Sequence, residues 1–337
     1  MPFKLTINPG PHLCEADAQQ SVLQSALDAG FMLPYGCRDG ACGSCKGRVL
    51  EGRVDHGRAS ENTLSLAERA EGLALFCCAK PLTDLAIQVR EVRRTTDIPI
   101  KKLPCRVQAL ERPAPDVMVL TLKLPANDQF RFLAGQYIDF LLAGGKRRSF
   151  SIANAPEHSG EMELHIRLVP GGQFTEHVFN TLKERDILRF EGPLGSFFLR
   201  EDAKPVVMVA GGTGFAPMKG IIEHLIAEGA QRPVTLYWGA RDRQGLYMHD
   251  LAQQWTEQLP GFKFVPVISD STDDWNGRTG LVHKAALEDF PDMSGVQAYV
   301  CGAPPMVDAA RVDFAAAGLP EAEFFADSFS FSADAVS

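Results

Sequence analysis

Long apolar runs are absent from this 337-residue chain. No stretch reaches the roughly 18 apolar residues that a helix needs to cross hydrocarbon, so no spanning helix is expected. The first residues, Met1-Pro2-Phe3-Lys4, lack the apolar core of a signal peptide and lead straight into an alternating pattern; a cytoplasmic location is expected. Basic excess is missing too. The 34 Lys and Arg stand against 42 Asp and Glu, for a formal charge of -8, which disfavours nucleic acid and suits the docking of a basic partner. No internal repeat or low-complexity segment is present, and a hydrophobic content of 45% is ample for the packed cores of two or three domains. The chain also lacks the G-x-G-x-x-G dinucleotide fingerprint, so any nucleotide site must be argued from other turns.

What is present centres on cysteine. In Tyr35-Gly36-Cys37-Arg38-Asp39-Gly40-Ala41-Cys42-Gly43-Ser44-Cys45-Lys46 the three cysteines have C-x4-C-x2-C spacing, and Phe76-Cys77-Cys78-Ala79-Lys80-Pro81 follows. That is the plant-type arrangement for a 2Fe-2S cluster held by four thiolates. Thiolates and sulfides concentrate negative charge, so the backbone must turn its amides toward sulfur, and Gly36, Gly40, Ala41, Gly43 and Ser44 are small enough to allow it. The metal ligands are then Cys37, Cys42, Cys45 and either Cys77 or Cys78, between which spacing does not choose. A zinc site would pair two short spacings or add His-x3-5-His, whereas one long-looped cysteine follows the triple here. Cys14, Cys105 and the unused one of the pair read as small buried hydrophobes. Eight cysteines, four in a cluster pattern, argue for a reducing compartment rather than a disulfide scaffold.

Around this loop the chain orders itself. Phe3, Leu5 and Ile7 alternate as a strand; Ser21-Val22-Leu23-Gln24 opens a helix with a capping-box pattern, stopped by Gly30. A strand near Arg48 to Leu50, a helical stretch near Thr63 to Ala70 and the strand of Leu85, Ile87 and Val89 complete a small β-rich domain, residues 1–92. A polar, proline-containing linker follows at 93–102. From 103 to 202 strand follows strand, with Met118/Leu120/Leu122/Leu124 and Met162/Leu164/Ile166/Leu168 alternating, as in an antiparallel barrel or sandwich. From 203 to 329 the style is α/β. Val206 to Ala210 is apolar throughout, as in a strand buried on both faces, and a helix starts at Pro217 and ends at Gly229. Strands at Thr235 to Trp238, Phe264 to Ile268 and Ala298 to Cys301 alternate with helices, which gives a parallel sheet. Residues 330–337 read as a loose tail.

Two turns of this sheet suit an anion. Gly211-Gly212-Thr213-Gly214 joins a buried strand to a helix N-terminus, where glycines admit a pyrophosphate to backbone amides. Cys301-Gly302-Ala303-Pro304-Pro305-Met306 ends another strand on the same edge. In the barrel segment, Arg148 offers a planar cation, Ser151 a hydroxyl, and Gly171-Gly172 before Thr175 offers amides and a hydroxyl to phosphate oxygens.

In that order and spacing, Arg148-Ser149-Phe150-Ser151, Gly172-x-x-Thr175, Gly211-Gly212-Thr213-Gly214-x-x-Pro217 and Cys301-Gly302-x-Pro304-Pro305-Met306 resemble the ferredoxin-NADP reductase superfamily. With a 2Fe-2S domain in front, the chain looks like the fused NADH-dependent reductases of bacterial oxygenases and deoxysugar synthesis, most like the CDP-6-deoxy-delta-3,4-glucoseen reductases. The resemblance implies a multidomain α+β fold: a β-grasp ferredoxin domain, an antiparallel β-barrel for FAD and an α/β parallel-sheet domain for NAD(P)H. It implies Cys77 as the fourth ligand, Arg148, Gly171, Gly172 and Thr175 at the FAD diphosphate, and Phe150 and Ser151 at its ring, with Ser151 near N5. It places Cys301 near the nicotinamide, beside Gly302 and Pro304, and Gly211, Gly212, Thr213 and Gly214 at the dinucleotide. The family usually has Tyr at the place of Phe150 and an aromatic at that of Ala326. NADH is the expected donor, with NADPH as the alternative should Arg241 or Arg243 meet a 2'-phosphate. The expected partner is an electron-accepting protein, a dehydratase or an oxygenase component. The alternatives are a carrier module without a working flavin site and a zinc-stabilised binding protein.

Overall fold

The computed structural model describes residues 2–94, 98–126, 129–158, 160–270 and 275–329. Residues 95–97 of the expected linker and all of the expected tail, 330–337, lie outside them. The chain forms two compact units.

The first unit comprises Met1–Pro99 with two short later stretches, Gly195–Phe197 and Ala326–Ser328. Its mixed sheet runs in the order His12–Ala16, Phe3–Asn8, Leu85–Gln88, Lys46–Glu51, Leu73–Leu75, with Phe3–Asn8 parallel to Leu85–Gln88. Leu5, Ile7 and Ile87 are fully buried, and so are Val22, Leu23 and Ala26 of the helix Val22–Asp28. This is the β-grasp arrangement. The capping-box pattern at Ser21 is half realised. The Ser21 hydroxyl accepts from the Gln24 amide at 3.2 Å, but the Gln24 side chain turns away to Asp28 and to the Arg38 guanidinium, because a charged donor outcompetes a backbone amide for its carbonyl. The complete box forms at Ser65 and Glu68, opening the helix Leu66–Ala70. Cys14 is half-buried, not buried, because its strand is the sheet's edge; Cys105 is buried as expected.

The second unit holds a barrel and an α/β layer. Six antiparallel strands run in the order Arg147–Ser151, Tyr137–Leu141, Ile187–Leu194, Lys101–Ala114, Val117–Lys123, Glu161–Arg167. A bridge from Ile152 to Leu164 joins the first to the last, so the sheet closes. Leu120, Leu122, Ile138, Phe140, Ile152, Leu164, Ile166 and Phe190 fill its interior, the inward positions of strands with a period of two.

In the α/β layer Arg278–Thr279, Phe262–Ile268, Val234–Ala240, Val206–Gly211 and Gln297–Gly302 lie side by side and parallel. Val206 through Ala210 are 0–1% exposed, as a strand covered by helices on both faces must be. The helix expected from Pro217 begins at Phe215 and runs to Ala227. Pro217 costs it nothing, since an amide in the first turn has no intrahelical acceptor. No helix among the described residues is long and apolar enough to cross a membrane.

Candidate functional site

The cysteine loop folds as its composition demands. Gly40 and Gly43 have φ of 88° and 73°, and a Cβ on Gly40 would meet the Cys78 sulfur at 2.8 Å. The loop turns its amides inward: Cys42 N–H donates to the Cys37 sulfur at 3.3 Å, and the amides of Cys37 and Ser44 donate to the Cys42 sulfur at 3.5 Å. The Cys37 side chain, then these amides, hold the Cys42 thiol below its ordinary value despite burial. The Cys45 thiol lies against Cys77 and raises it. Four sulfurs therefore converge, with backbone donors aimed at the negative charge a cluster would bring, and the residues fit a 2Fe-2S group. Cys78 stands outside the quartet; its sulfur is 3.6 Å from that of Cys77, and it interacts with Arg58.

Of the loop's distant neighbours, Ser196 carried no sequence signal, and Ala326 stood out only as a departure from the family's aromatic. Ser196 Oγ accepts from Tyr35 N–H at 2.8 Å and donates to Tyr35 O at 2.9 Å, and Ser44 Oγ donates to Ala326 O at 2.7 Å. Asp327 is buried beside Gly36, and burial first, then the Cys42 thiol, push its carboxyl up to about 7. All of these contacts join positions more than 150 residues apart, which no local pattern can announce.

On the barrel, Arg147 is paired with Glu191 and Asp139, whereas Arg148 donates to the Arg147 carbonyl at 2.7 Å. Phe150 packs against Phe140 and Phe174 at centroid distances of 5.9 and 5.5 Å. The Ser151 hydroxyl is buried without a hydrogen-bond partner among the described residues. Such an orphan costs roughly 1–3 kcal/mol unless a ligand satisfies it, which fits a flavin at this strand. Gly171, with φ of 76°, and Gly172 lead into the helix Gln173–Asn180. The Gly171 amide donates to Glu176, and the buried Thr175 hydroxyl accepts from Val169 N–H and lies within bonding distance of the Val169 and Gly172 carbonyls. Thr175 thus braces the turn that would present the helix N-terminus to a phosphate.

The two turns of the parallel sheet meet. Val206–Gly211 pairs with Gln297–Gly302 on one side and with Val234–Ala240 on the other, so the direction of strand succession reverses between Gly211 and Gly302, where open α/β sheets bind ligands. A Cβ on Gly302 would lie 3.2 Å from the Gly211 backbone; one on Gly211 would meet Met306 Sδ at 2.7 Å, and one on Gly214 would collide with the Cys301 carbonyl. Thr213 and Cys301 are buried, and Pro304 starts the helix Pro304–Ala316. Arg167, which belongs to no motif, reaches across from the barrel to within 2.8 Å of where a Gly212 Cβ would stand. Its only signal was a cation at the end of an alternating strand.

Comparison with known proteins matches three family models in series: a 2Fe-2S iron-sulfur cluster binding domain over residues 5–82, an oxidoreductase FAD-binding domain over 104–199 and an oxidoreductase NAD-binding domain over 208–312. The chain is 42% identical to the CDP-6-deoxy-L-threo-D-glycero-4-hexulose-3-dehydrase reductase of Yersinia pseudotuberculosis, across 98% of this chain and 99% of that one. The chain belongs to this family of 2Fe-2S flavoprotein reductases. The reductase is also 38% identical to DmpP, the reductase component of phenol 2-monooxygenase from Pseudomonas sp. strain CF600, over 99% of its own length and 96% of the relative's. Among solved structures, the Amycolatopsis cytochrome P450 reductase GcoB superposes with a TM-score of 0.79 at 36% identity, covering 97% of the reductase and 98% of that chain. The reductase is therefore an NAD(P)H-dependent electron-transfer oxidoreductase with 2Fe-2S, FAD and NAD-binding domains, and the carrier-only and zinc alternatives fall away.

Proposed function

We propose that the reductase oxidises NADH in the cytoplasm and delivers the electrons one at a time to the dehydratase of a 3,6-dideoxysugar pathway. The convergence of the Cys37, Cys42, Cys45 and Cys77 sulfurs under the loop amides carries the one-electron end of this reading. The 42% identity to a dehydrase reductase supports the acceptor, and eight free cysteines support a reducing compartment. When bound, the flavin takes a hydride and gives up single electrons, and the cluster accepts them singly. The chain's own residues hold and orient. Arg148 and the Gly171-Gly172-Thr175 turn would hold the FAD diphosphate, with Phe150 and Ser151 at its ring and Ser151 near N5. Gly211, Gly212, Thr213 and Gly214, with Gly302 and Pro304, would seat the dinucleotide, and Cys301 would lie near the nicotinamide. Ser151 and Cys301 are the groups at the hydride-transfer site; no nucleophile or acid/base pair is required of the protein. We assign residues 1–92, 103–202 and 203–329 to the three domains.

A second reading, the reductase component of an oxygenase, is favoured by the likeness to GcoB and to the phenol monooxygenase component. Anaerobic NADH titration tests the electron route: flavin absorbance should bleach, and a reduced 2Fe-2S signal should then rise by EPR. Reduction of the cluster by dithionite but by neither NADH nor NADPH would sink the route. Purified dehydratase and oxygenase components, offered as rival acceptors, distinguish the two readings by rate.

A further inference from the structure

A polar chain on the barrel's outer face has no part in the roles assigned above. In the strand Glu161–Arg167, Glu163, His165 and Arg167 alternate with Met162, Leu164 and Ile166, which fill the barrel core. His165 is fully buried. Its Nε2 is 2.8 Å from Glu163 Oε1 and its Nδ1 is 2.8 Å from the Tyr247 hydroxyl. The same Glu163 oxygen is 3.0 Å from Lys219 Nζ, which also meets Glu223 at 2.8 Å.

The charge of the neighbours sets the direction of each hydrogen bond. Burial would raise the Glu163 carboxyl, but His165 and Lys219 outweigh it and hold the group down at about 2. An ionised carboxylate only accepts, so His165 Nε2 carries the hydrogen. Burial keeps the imidazole neutral, which leaves Nδ1 a bare lone pair, and Tyr247 must donate its hydroxyl hydrogen there. The phenol oxygen is left with acceptor capacity alone.

That oxygen stands beside the nucleotide turn. The Tyr247 ring packs edge-on against Phe215 and Trp238, with centroids 6.0 and 5.1 Å away. Trp238 Nε1 donates to Gly212 O at 2.9 Å, Phe215 opens the helix that follows Gly214, and Arg167 and Cys301 lie near enough to act on the phenol. We propose that the Tyr247 oxygen accepts a hydrogen bond from the carboxamide amino group of the nicotinamide, with His165 and Glu163 as positioning residues that commit the phenol to accepting. Fixing the carboxamide fixes the rotation of the nicotinamide ring and hence the aim of its hydride carbon. The inference rests on the assignment of the dinucleotide to the Gly211–Gly214 turn.

The test is calorimetric, on FAD-loaded, oxidised reductase, with three probes: NAD+, 3-acetylpyridine adenine dinucleotide, in which a methyl group replaces the amino group beside the same carbonyl, and ADP-ribose, which has no nicotinamide. In the unaltered protein NAD+ should bind more tightly than the acetylpyridine analogue. Tyr247→Phe should weaken NAD+ by roughly tenfold, the worth of one hydrogen bond to a neutral partner, and leave the analogue and ADP-ribose unchanged. Glu163→Gln should show the same selectivity at smaller amplitude. Equal weakening of NAD+ and the analogue by Tyr247→Phe, or no weakening, overturns the inference while ADP-ribose binding upholds the site. If ADP-ribose fails to bind the unaltered protein, the nucleotide assignment falls and the inference with it.

Discussion

Cys77 and Cys78 are adjacent in sequence but have different neighbours: Cys77 lies against Cys45, and Cys78 toward Gly40 and Arg58. Cys77→Ser should therefore lose most bound iron and acid-labile sulfide, whereas Cys78→Ser should retain both and its EPR signal; the reverse pattern would exchange their roles. A second residue-scale prediction concerns Gly214, where any Cβ collides with a backbone carbonyl that cannot move aside. Gly214→Ala should cost about 1–3 kcal/mol by thermal unfolding and raise the KM for NADH, as overpacking does. Three of the cluster's cysteines fall within nine residues and the glycine turn within four, so both were readable from spacing. His165 and Tyr247 are 82 residues apart, and each alone is an ordinary polar residue near apolar ones. Only the closed barrel laid against the parallel sheet brings them together.

A strand of period two can serve two masters, and Glu161–Arg167 does. Its apolar positions were legible as barrel core, but its polar ones carried no reading; His165 is buried, and Glu163 meets Lys219 of the helix Phe215–Ala227, itself 6% exposed. The cost of burying Lys219 is offset by its two carboxylates, and that makes the contact sensitive to acid. Glu163 has a folded value of about 2 against an ordinary 4.5, so its contribution is complete above about pH 4.5 and is lost as pH falls toward 2. By linkage the difference corresponds to roughly 3 kcal/mol at most. Acid unfolding followed by flavin fluorescence should be shallower across that window in Glu163→Gln than in the unaltered protein; identical slopes would show that the pair contributes nothing. Helix ends were less legible than helix existence. The Ser65 box closes because the Glu68 carboxylate has one oxygen for Lys46 and another for the Ser65 amide, whereas the single carbonyl oxygen of Gln24 is taken by Arg38.

For the molecule as a whole, the order of modules predicts what metal removal does. Reductase stripped of iron should still bleach its flavin with NADH, because the residues proposed for nicotinamide and flavin lie in the second unit, and should fail to reduce a protein acceptor; stopped-flow absorbance measures both. Loss of flavin bleaching on stripping would tie the first half-reaction to the cluster. The three-module plan was legible because each module carries its own punctuation of glycines and strands. The composition of the first unit was not, since Gly195–Phe197 and Ala326–Ser328 join it from far along the chain. The ferredoxin-like module is consequently no detachable bead. A gene fragment ending near residue 99 would deprive Tyr35 of Ser196 and Ser44 of Ala326, so evolution could not have swapped this module freely once those two stretches had adapted to it, and exchange among relatives should carry all three segments as one heritable block.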